Sequence, residues 1–325
     1  MKDSYGRVID YMRISITDRC NLRCRYCMPD GISCVPMCEI LTLEEICTVA
    51  ACGARLGIRH LKITGGEPLV RKGCCDLIRM LKGLPGIEKV TITTNGMLLR
   101  EYLDELAAAG IDGINISLDT RDGRIYEAVT GTDGLETVLE GIRRASVLPL
   151  PVKVNAVSLD LGEENWRQMI ELARVYPVDV RFIEMMPIGY GKQFPVINHQ
   201  ELLAKISEAY PGLEPDHRQH GFGPAVYYRI PGLLGSVGLI SAIHGKFCSS
   251  CNRVRLTSQG YLKTCLCYEE GADLRTLLRS GMTEAEKQER IVQTMRQAIE
   301  QKPAAHCFDH PGQMTEHRSM AVIGG

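Results

Sequence analysis

The sequence predicts an α/β fold: an incomplete (β/α)6 barrel of the TIM-like kind, followed by a C-terminal region of strands and helices. Three observations predict it. Six short apolar strand patterns alternate with amphipathic segments of helical length over the first two-thirds of the chain. No glycine-rich dinucleotide fingerprint opens the first unit, which argues against a Rossmann sheet. Polar residues collect at the carboxyl ends of several strand patterns, the ends that converge on one mouth in a barrel.

The strands read at Met12–Thr17, Leu61–Thr64, Val90–Thr93, Gly113–Leu118, Val152–Val157 and Val178–Glu184. The helical segments read at Leu43–Leu56, Cys75–Gly83, Leu98–Ala109, Leu135–Val147, Glu163–Val175 and His199–Tyr210. The first has a start signal, with Thr42 as N-cap and Glu45 at the capping-box position. The special strand ends carry Asp18–Arg19, Gly65–Gly66–Glu67–Pro68, Thr94–Asn95–Gly96, Asp119, Asn155 and Glu184–Met185–Met186. From about Pro211 glycine and proline rise and helical periodicity fades, so the expected division is residues 1–210 and 211–325. Beyond it, strands read at Ala225–Ile230 and Ser236–Ile240, and a hairpin pairs Arg253–Thr257 with Tyr261–Cys265 around Ser258–Gln259–Gly260. Helices fit Asp273–Arg279 and Thr283–Gln301.

With 325 residues and 45% apolar composition, the chain can bury a large core. Lys+Arg 38 against Asp+Glu 39 gives a net charge of −1, so no global basic field argues for nucleic acid or an anionic membrane. Any anion site must be built from a few local cations. No apolar run approaches membrane-spanning length, and the first twenty residues do not read as a signal peptide. The expected setting is cytoplasmic and reducing. There, 14 cysteines mean metal ligands and buried free thiols rather than disulfides. Cys34, Cys38, Cys47, Cys52, Cys74, Cys75 and Cys307 lie in no motif and read as small apolar side chains.

Cys20, Cys24 and Cys27 form C-x3-C-x2-C directly after the first strand, with Tyr26 beside the last cysteine. Three thiolates can hold three irons of a cubane iron–sulfur cluster and leave the fourth iron open to a small molecule. The alternatives are a zinc knuckle with a distant fourth ligand and chance spacing. Cys248, Cys251 and Cys265 form a second triplet, C-x2-C-x13-C, astride the hairpin. A zinc ribbon would need a fourth ligand, which Cys267 could supply. Arg253 and Arg255 lie two apart on the strand between these ligands and so share one face. Two guanidinium groups beside an open-site cluster suit a polyanionic ligand such as a nucleotide. A solvated strand face is the bland alternative.

These strings together resemble the radical S-adenosylmethionine superfamily, and within it the GTP 3′,8-cyclase family of molybdenum cofactor biosynthesis. The resemblance is carried by YMRISITDRCNLRCRYCMPDG, LKITGGEPLVR, TITTNG, ISLD, VKVNAV, RFIEMMPIG, FCSSCNRVRLT and the terminal Gly324–Gly325, in order along almost the whole chain. It implies a partial barrel whose mouth the C-terminal region closes. It implies two [4Fe-4S] clusters, held by Cys20, Cys24 and Cys27 and by Cys248, Cys251 and Cys265. Tyr26, Gly66, Ser117 and Met186 would line the S-adenosylmethionine site. Arg13, Lys62, Thr93, Lys153, Arg253 and Arg255 would contact GTP, with Arg13, Arg253 and Arg255 as the catalytic set.

The implied activity is a lyase reaction: a 5′-deoxyadenosyl radical takes the C3′ hydrogen of GTP, which closes to (8S)-3′,8-cyclo-7,8-dihydroguanosine 5′-triphosphate. The implied partners are a second copy in a homodimer, an electron donor, and cyclic pyranopterin monophosphate synthase as recipient of the product. Neither nucleic acid nor membrane is expected. Lys62 stands where many family members carry arginine, which keeps the charge but loses the bidentate fork. The tail MAVIGG is expected to insert toward the active site, glycine suiting a narrow channel. Two rivals remain at this point: a twin-cluster peptide maturase, and a zinc scaffold without chemistry.

Overall fold

A computed structural model describes residues 1–31 and 35–323. The expected Cys34 and the terminal Gly324–Gly325 lie outside the described residues. Strands β1 (Tyr11–Ser15), β2 (His60–Thr64), β3 (Lys89–Thr94), β4 (Ile114–Ser117), β5 (Val152–Val157) and β6 (Asp179–Ile183) pair in chain order, all parallel. Between and after them run α1 (Leu43–Arg55), α2 (Cys74–Lys82), α3 (Leu99–Ala108), α4 (Gly123–Thr130), α5 (Leu135–Ala145), α6 (Glu163–Val175) and α7 (His199–Ala209). Thr42 and Glu45 form the expected capping box on α1. Helix α4 was not expected. It is eight residues long, started by Asp122, whose side chain accepts from Arg124 and Ile125 N–H, and stopped by left-handed Gly131.

The later strands do not build a second sheet. β7 (Glu214–Pro215), β8 (Val226–Arg229) and β9 (Val237–Ile240) extend the β6 edge, with β9 parallel to β6. β10 (Arg253–Leu256), β11 (Tyr261–Lys263) and β12 (Gly271–Asp273) extend the β1 edge, with β10 parallel to β1. The result is one twelve-stranded sheet in the order β12-β11-β10-β1-β2-β3-β4-β5-β6-β9-β8-β7, a barrel not closed by hydrogen bonds. α8 (Arg275–Leu278) is shorter than its expected range, because Asp273 belongs to β12 and its carboxylate caps the next turn through Thr276 N–H at 3.2 Å. α9 (Glu284–Glu300) packs Ile291, Val292, Met295 and Ile299 into the main core and lies against α1. No helix among the described residues is long and apolar enough to cross a membrane.

Strand alternation sorts chemistry by face. Met12, Ile14, Leu61, Ile63, Val90, Ile92, Ile114, Ile116, Val152, Val154, Val180, Phe182, Val254 and Leu256 are buried with the helices in one apolar core. The intervening residues point inward, and they are mostly polar: Arg13, Lys62, Thr91, Thr93, Asn115, Ser117, Lys153, Asn155, Asp179, Arg181, Arg253 and Arg255 all border the interior cavity. The barrel interior is therefore a lined chamber rather than a packed core.

Candidate active site

The chamber has a volume of about 1050 Å3. All six residues expected to contact GTP border it, as do Tyr26, Ser117 and Met186 from the expected S-adenosylmethionine set. Cys27 borders it from one cysteine triplet, and Cys248, Cys251 and Cys265 all border it from the other. Two motifs more than 200 residues apart thus open onto one space.

Gly66 is not among the lining residues. A Cβ there would lie 2.2 Å from the Arg19 carbonyl oxygen. Glycine is required because the Gly65–Glu67 loop lies against the cysteine loop, with Gly66 N–H donating to Thr17 O and Glu67 N–H to Arg19 O, both at 2.8 Å. The buried Glu67 carboxylate accepts from Leu69 N–H (3.0 Å), Thr94 Oγ1 (2.8 Å) and Asn95 N–H (2.6 Å). Burial still raises it to about 7. Asn95 turns its side-chain amide toward Cys20 Sγ at 3.7 Å.

The chemistry of the cysteine loop fits a metal cluster. Cys20 Sγ also accepts from Leu22 N–H at 3.4 Å, and Cys27 Sγ accepts from Ala321 N–H. Burial raises all three thiols. Beyond burial, Asp119, Cys27 and Cys20 repel charge on Cys24, and Cys20 repels charge on Cys27, which reaches about 12. Three neighbouring sulfurs whose ionisation burial opposes need a positive centre among them to become thiolates together. Among the described residues no group of three or more His, Cys, Asp or Glu is arranged to hold a single metal ion. A cubane spreads its ligands over three irons.

In the second triplet, Cys251 differs. Burial raises its thiol, but the charges of Lys302 and Arg253 outweigh this and hold it at about 7. Arg253 lies over the Phe247 ring, 4.8 Å from its centroid. Cys267, weighed in the sequence as a fourth ligand, is fully buried, does not border the chamber, and has its Sγ 3.1 Å from that of Cys307. Of the motif-less cysteines, Cys52, Cys74, Cys75 and Cys307 are buried as expected and Cys47 is half-buried. Cys38 is exposed, a correction to its reading as an apolar side chain.

The chamber is electropositive by construction. In register, Arg13 is the partner of Lys62 on one side and of Arg255 on the other. Burial, then Arg181, Arg13 and Lys153, pull the Lys62 ammonium well below its usual range. Burial, then Arg13 and Arg253, do the same to Arg255. Arg13 falls to about 10, chiefly by burial. Lys153 is already engaged: its ammonium meets Asp179 at 3.2 Å and Tyr227 Oη at 2.9 Å, and donates to the His220 carbonyl. Sequence reasoning missed Arg181, Lys302 and Asp179. Inward parity on β6 could have found Arg181, which donates to Asn155 Oδ1 at 2.9 and 2.6 Å. Lys302 follows α9 and had no local signal.

At the mouth, Tyr26 donates to Asp119 Oδ2 at 2.7 Å, and burial raises the Asp119 carboxyl to about 6. The tail arrives there too. Met320 borders the chamber, and Ala321 and Ile323 are buried. An ion pair anchors it, the buried Lys263 ammonium on Glu316 at 2.5 Å, with Arg318 on the same carboxylate at 2.8 Å.

The Radical SAM superfamily matches residues 14–175, and the Molybdenum Cofactor Synthesis C family matches residues 178–308. The chain is 40% identical over 327 residues to a GTP 3′,8-cyclase of Clostridium perfringens (strain SM101 / Type A), covering 100% of both chains. It is 44% identical over 330 residues to the GTP 3′,8-cyclase of Peptoclostridium acidaminophilum, covering 99% of this chain and 98% of that one. Among solved structures, Streptococcus suis SuiB bound to S-adenosylmethionine superposes with a TM-score of 0.66 at 12% identity, covering 97% of this chain and 77% of that chain, a likeness of fold.

Proposed function

The chain belongs to the GTP 3′,8-cyclase family of the radical S-adenosylmethionine superfamily, and we propose from that premise how its residues share the work. It is a radical S-adenosylmethionine lyase that converts GTP to (8S)-3′,8-cyclo-7,8-dihydroguanosine 5′-triphosphate in molybdenum cofactor biosynthesis, and it uses two [4Fe-4S] clusters and S-adenosylmethionine. When bound, these groups supply an electron, a 5′-deoxyadenosyl radical that takes the C3′ hydrogen, and an open iron for the guanine base.

Cys20, Cys24 and Cys27 would hold the first cluster, and Cys248, Cys251 and Cys265 the second. The observation that carries this reading is the single chamber bordered by ligands from both triplets and by a row of buried cations. Arg13, Lys62, Arg253 and Arg255 bind the triphosphate, whose charge removes the repulsion among them. Arg13, Arg253 and Arg255 thereby fix the ribose relative to the first triplet, and Thr93 and Lys153 border the path between. Tyr26, Ser117 and Met186 border the S-adenosylmethionine side, while Gly66 shapes the loop beneath it. The buried tail excludes water at the mouth. The reading extends to a homodimer in the cytoplasm, an external electron donor, delivery of product to cyclic pyranopterin monophosphate synthase, and a division into residues 1–210 and 211–325.

The test is anaerobic. The protein is reconstituted with iron and sulfide, reduced, and given S-adenosylmethionine and GTP. 5′-Deoxyadenosine and a cyclised GTP are expected together by mass spectrometry. Deoxyadenosine without a nucleotide product would overturn the substrate; zinc in place of iron at both triplets would overturn the chemistry.

A further inference from the structure

Lys302 follows α9 and is 3% exposed. Its ammonium donates to the carbonyl of Arg253 at 3.1 Å and to that of Thr264. Arg253 begins β10, two residues after Cys251, and Thr264 immediately precedes Cys265. One side chain from outside the hairpin thus ties together the two stretches that carry these cysteines. The residue borders the same chamber as their sulfurs.

Among the described residues, Lys302 has no acidic partner. The lysines in ion pairs among the described residues are Lys82, Lys89, Lys153, Lys246, Lys263 and Lys287. Lys263, equally deep and on the same hairpin, has Glu316. Two carbonyl dipoles satisfy two of the three N–H donors of Lys302 but leave its charge uncompensated. A buried cation in that condition costs several kcal/mol unless an anion stands close by. The groups placed to supply that anion are the Cys251 and Cys265 sulfurs, which flank its two carbonyl partners in sequence and border the same chamber.

We propose that Lys302 is the built-in counter-cation of the second cluster and sets that cluster's reduction potential. The inference rests on placing that cluster at Cys248, Cys251 and Cys265. A three-thiolate cubane carries net negative charge and becomes more negative on reduction. A fixed ammonium beside two of its ligands therefore favours the reduced form and raises the potential. Lys302 acts through the sulfurs, as a tuning and positioning residue.

The test is a redox titration of the reconstituted full-length protein followed by electron paramagnetic resonance. The second-cluster signal is the one that survives in a C20S/C24S/C27S background. Lys302→Gln keeps donors for the two carbonyls and removes the charge; Lys302→Arg keeps the charge. The expected result is a second-cluster midpoint shifted to more negative potential in K302Q and restored in K302R, with the first-cluster midpoint unmoved in both. An unchanged midpoint in K302Q with full iron content would overturn the proposal. So would an equal shift in K302R, which would assign the effect to shape. If K302Q holds no second cluster, K302R decides: a wild-type midpoint upholds the role of charge, and a shifted or absent signal overturns it. No signal from the triple-serine protein with Lys302 intact would instead refute the cluster assignment itself, and the inference with it.

Discussion

Arg13 on β1 and Arg255 on β10 are register partners on adjacent parallel strands, both aimed into the chamber. Like charges side by side on a sheet destabilise it. The arrangement is thus a cost to folding that an anionic ligand offsets, and it ties the first strand of the barrel to the hairpin of the C-terminal region at the point where a triphosphate would bind.

Removing one of these arginines should separate binding from radical generation. Arg253→Ala or Arg255→Ala should lower cyclised product about 10- to 100-fold, the span of a hydrogen bond to a charged group at about 1.5–3 kcal/mol. 5′-Deoxyadenosine formation should change far less. Wild-type product formation in both variants would remove these residues from the GTP site.

Lys62 should show opposite effects on stability and on binding. Its ammonium is buried against Arg181, Arg13 and Lys153. Lys62→Met should leave the ligand-free protein at least as heat-stable as wild type, because it relieves desolvation and repulsion. GTP affinity should fall by about tenfold, measured by calorimetry. A lowered melting temperature with unchanged GTP affinity would make Lys62 structural.

The Lys263–Glu316 pair should anchor the tail. Glu316→Leu strands a buried ammonium and should destabilise by about 3–5 kcal/mol, while Lys263→Met/Glu316→Leu should recover most of the loss. Burial raises the Glu316 carboxyl, but Arg318 and Lys263 outweigh it and hold the group at about 2. Its contribution is therefore complete above the ordinary value near 4.5 and fades as pH falls toward 2. Denaturant midpoints for the single and double variants, read at pH 7 and pH 3.5, check both statements.

His199 supplies a second acid-sensitive point. Its ring lies between Ser158 Oγ (2.8 Å) and Ser241 Oγ (3.0 Å), and burial lowers it to about 4. The folded state holds it neutral, while the unfolded chain protonates it below about 6.5. Its contribution is full above pH 6.5 and is lost progressively down to pH 4, about 3 kcal/mol at most. His199→Gln should flatten the urea midpoint over that window; an unchanged slope would place the acid sensitivity elsewhere.

Gly66→Ala should damage the first cluster without touching the chamber. The added Cβ meets backbone, the Arg19 carbonyl at 2.2 Å, so the cysteine loop must shift. Iron content after reconstitution should fall by about the share of one cluster. Full iron with weakened S-adenosylmethionine binding would instead restore Gly66 to the binding surface.

Much of this was legible in the chain. The apolar strand patterns in MRISIT, LKIT and VKVNAV marked β1, β2 and β5, and the two-residue spacing of Arg253 and Arg255 put both on one face, because a strand can present its residues in only two directions. The close spacing of Cys20, Cys24 and Cys27 marked a ligand loop for the same local reason. Short or capped-by-surprise elements escaped: α4 is started by Asp122 and stopped by Gly131 with little amphipathic length between them.

What is local was thus specified by the chain alone: the strand–helix alternation, the two cysteine triplets, and the shared face of Arg253 and Arg255. Tertiary structure alone decided which of these share a space. Pairing of β10 with β1 set Arg255 beside Arg13 across more than 200 residues. It turned Cys267 toward Cys307 and away from its neighbour Cys265, and brought Lys302 to the carbonyls beside Cys251 and Cys265. Spacing along a chain fixes direction and period. Proximity between distant segments follows from sheet order and core packing, which no single stretch of sequence encodes.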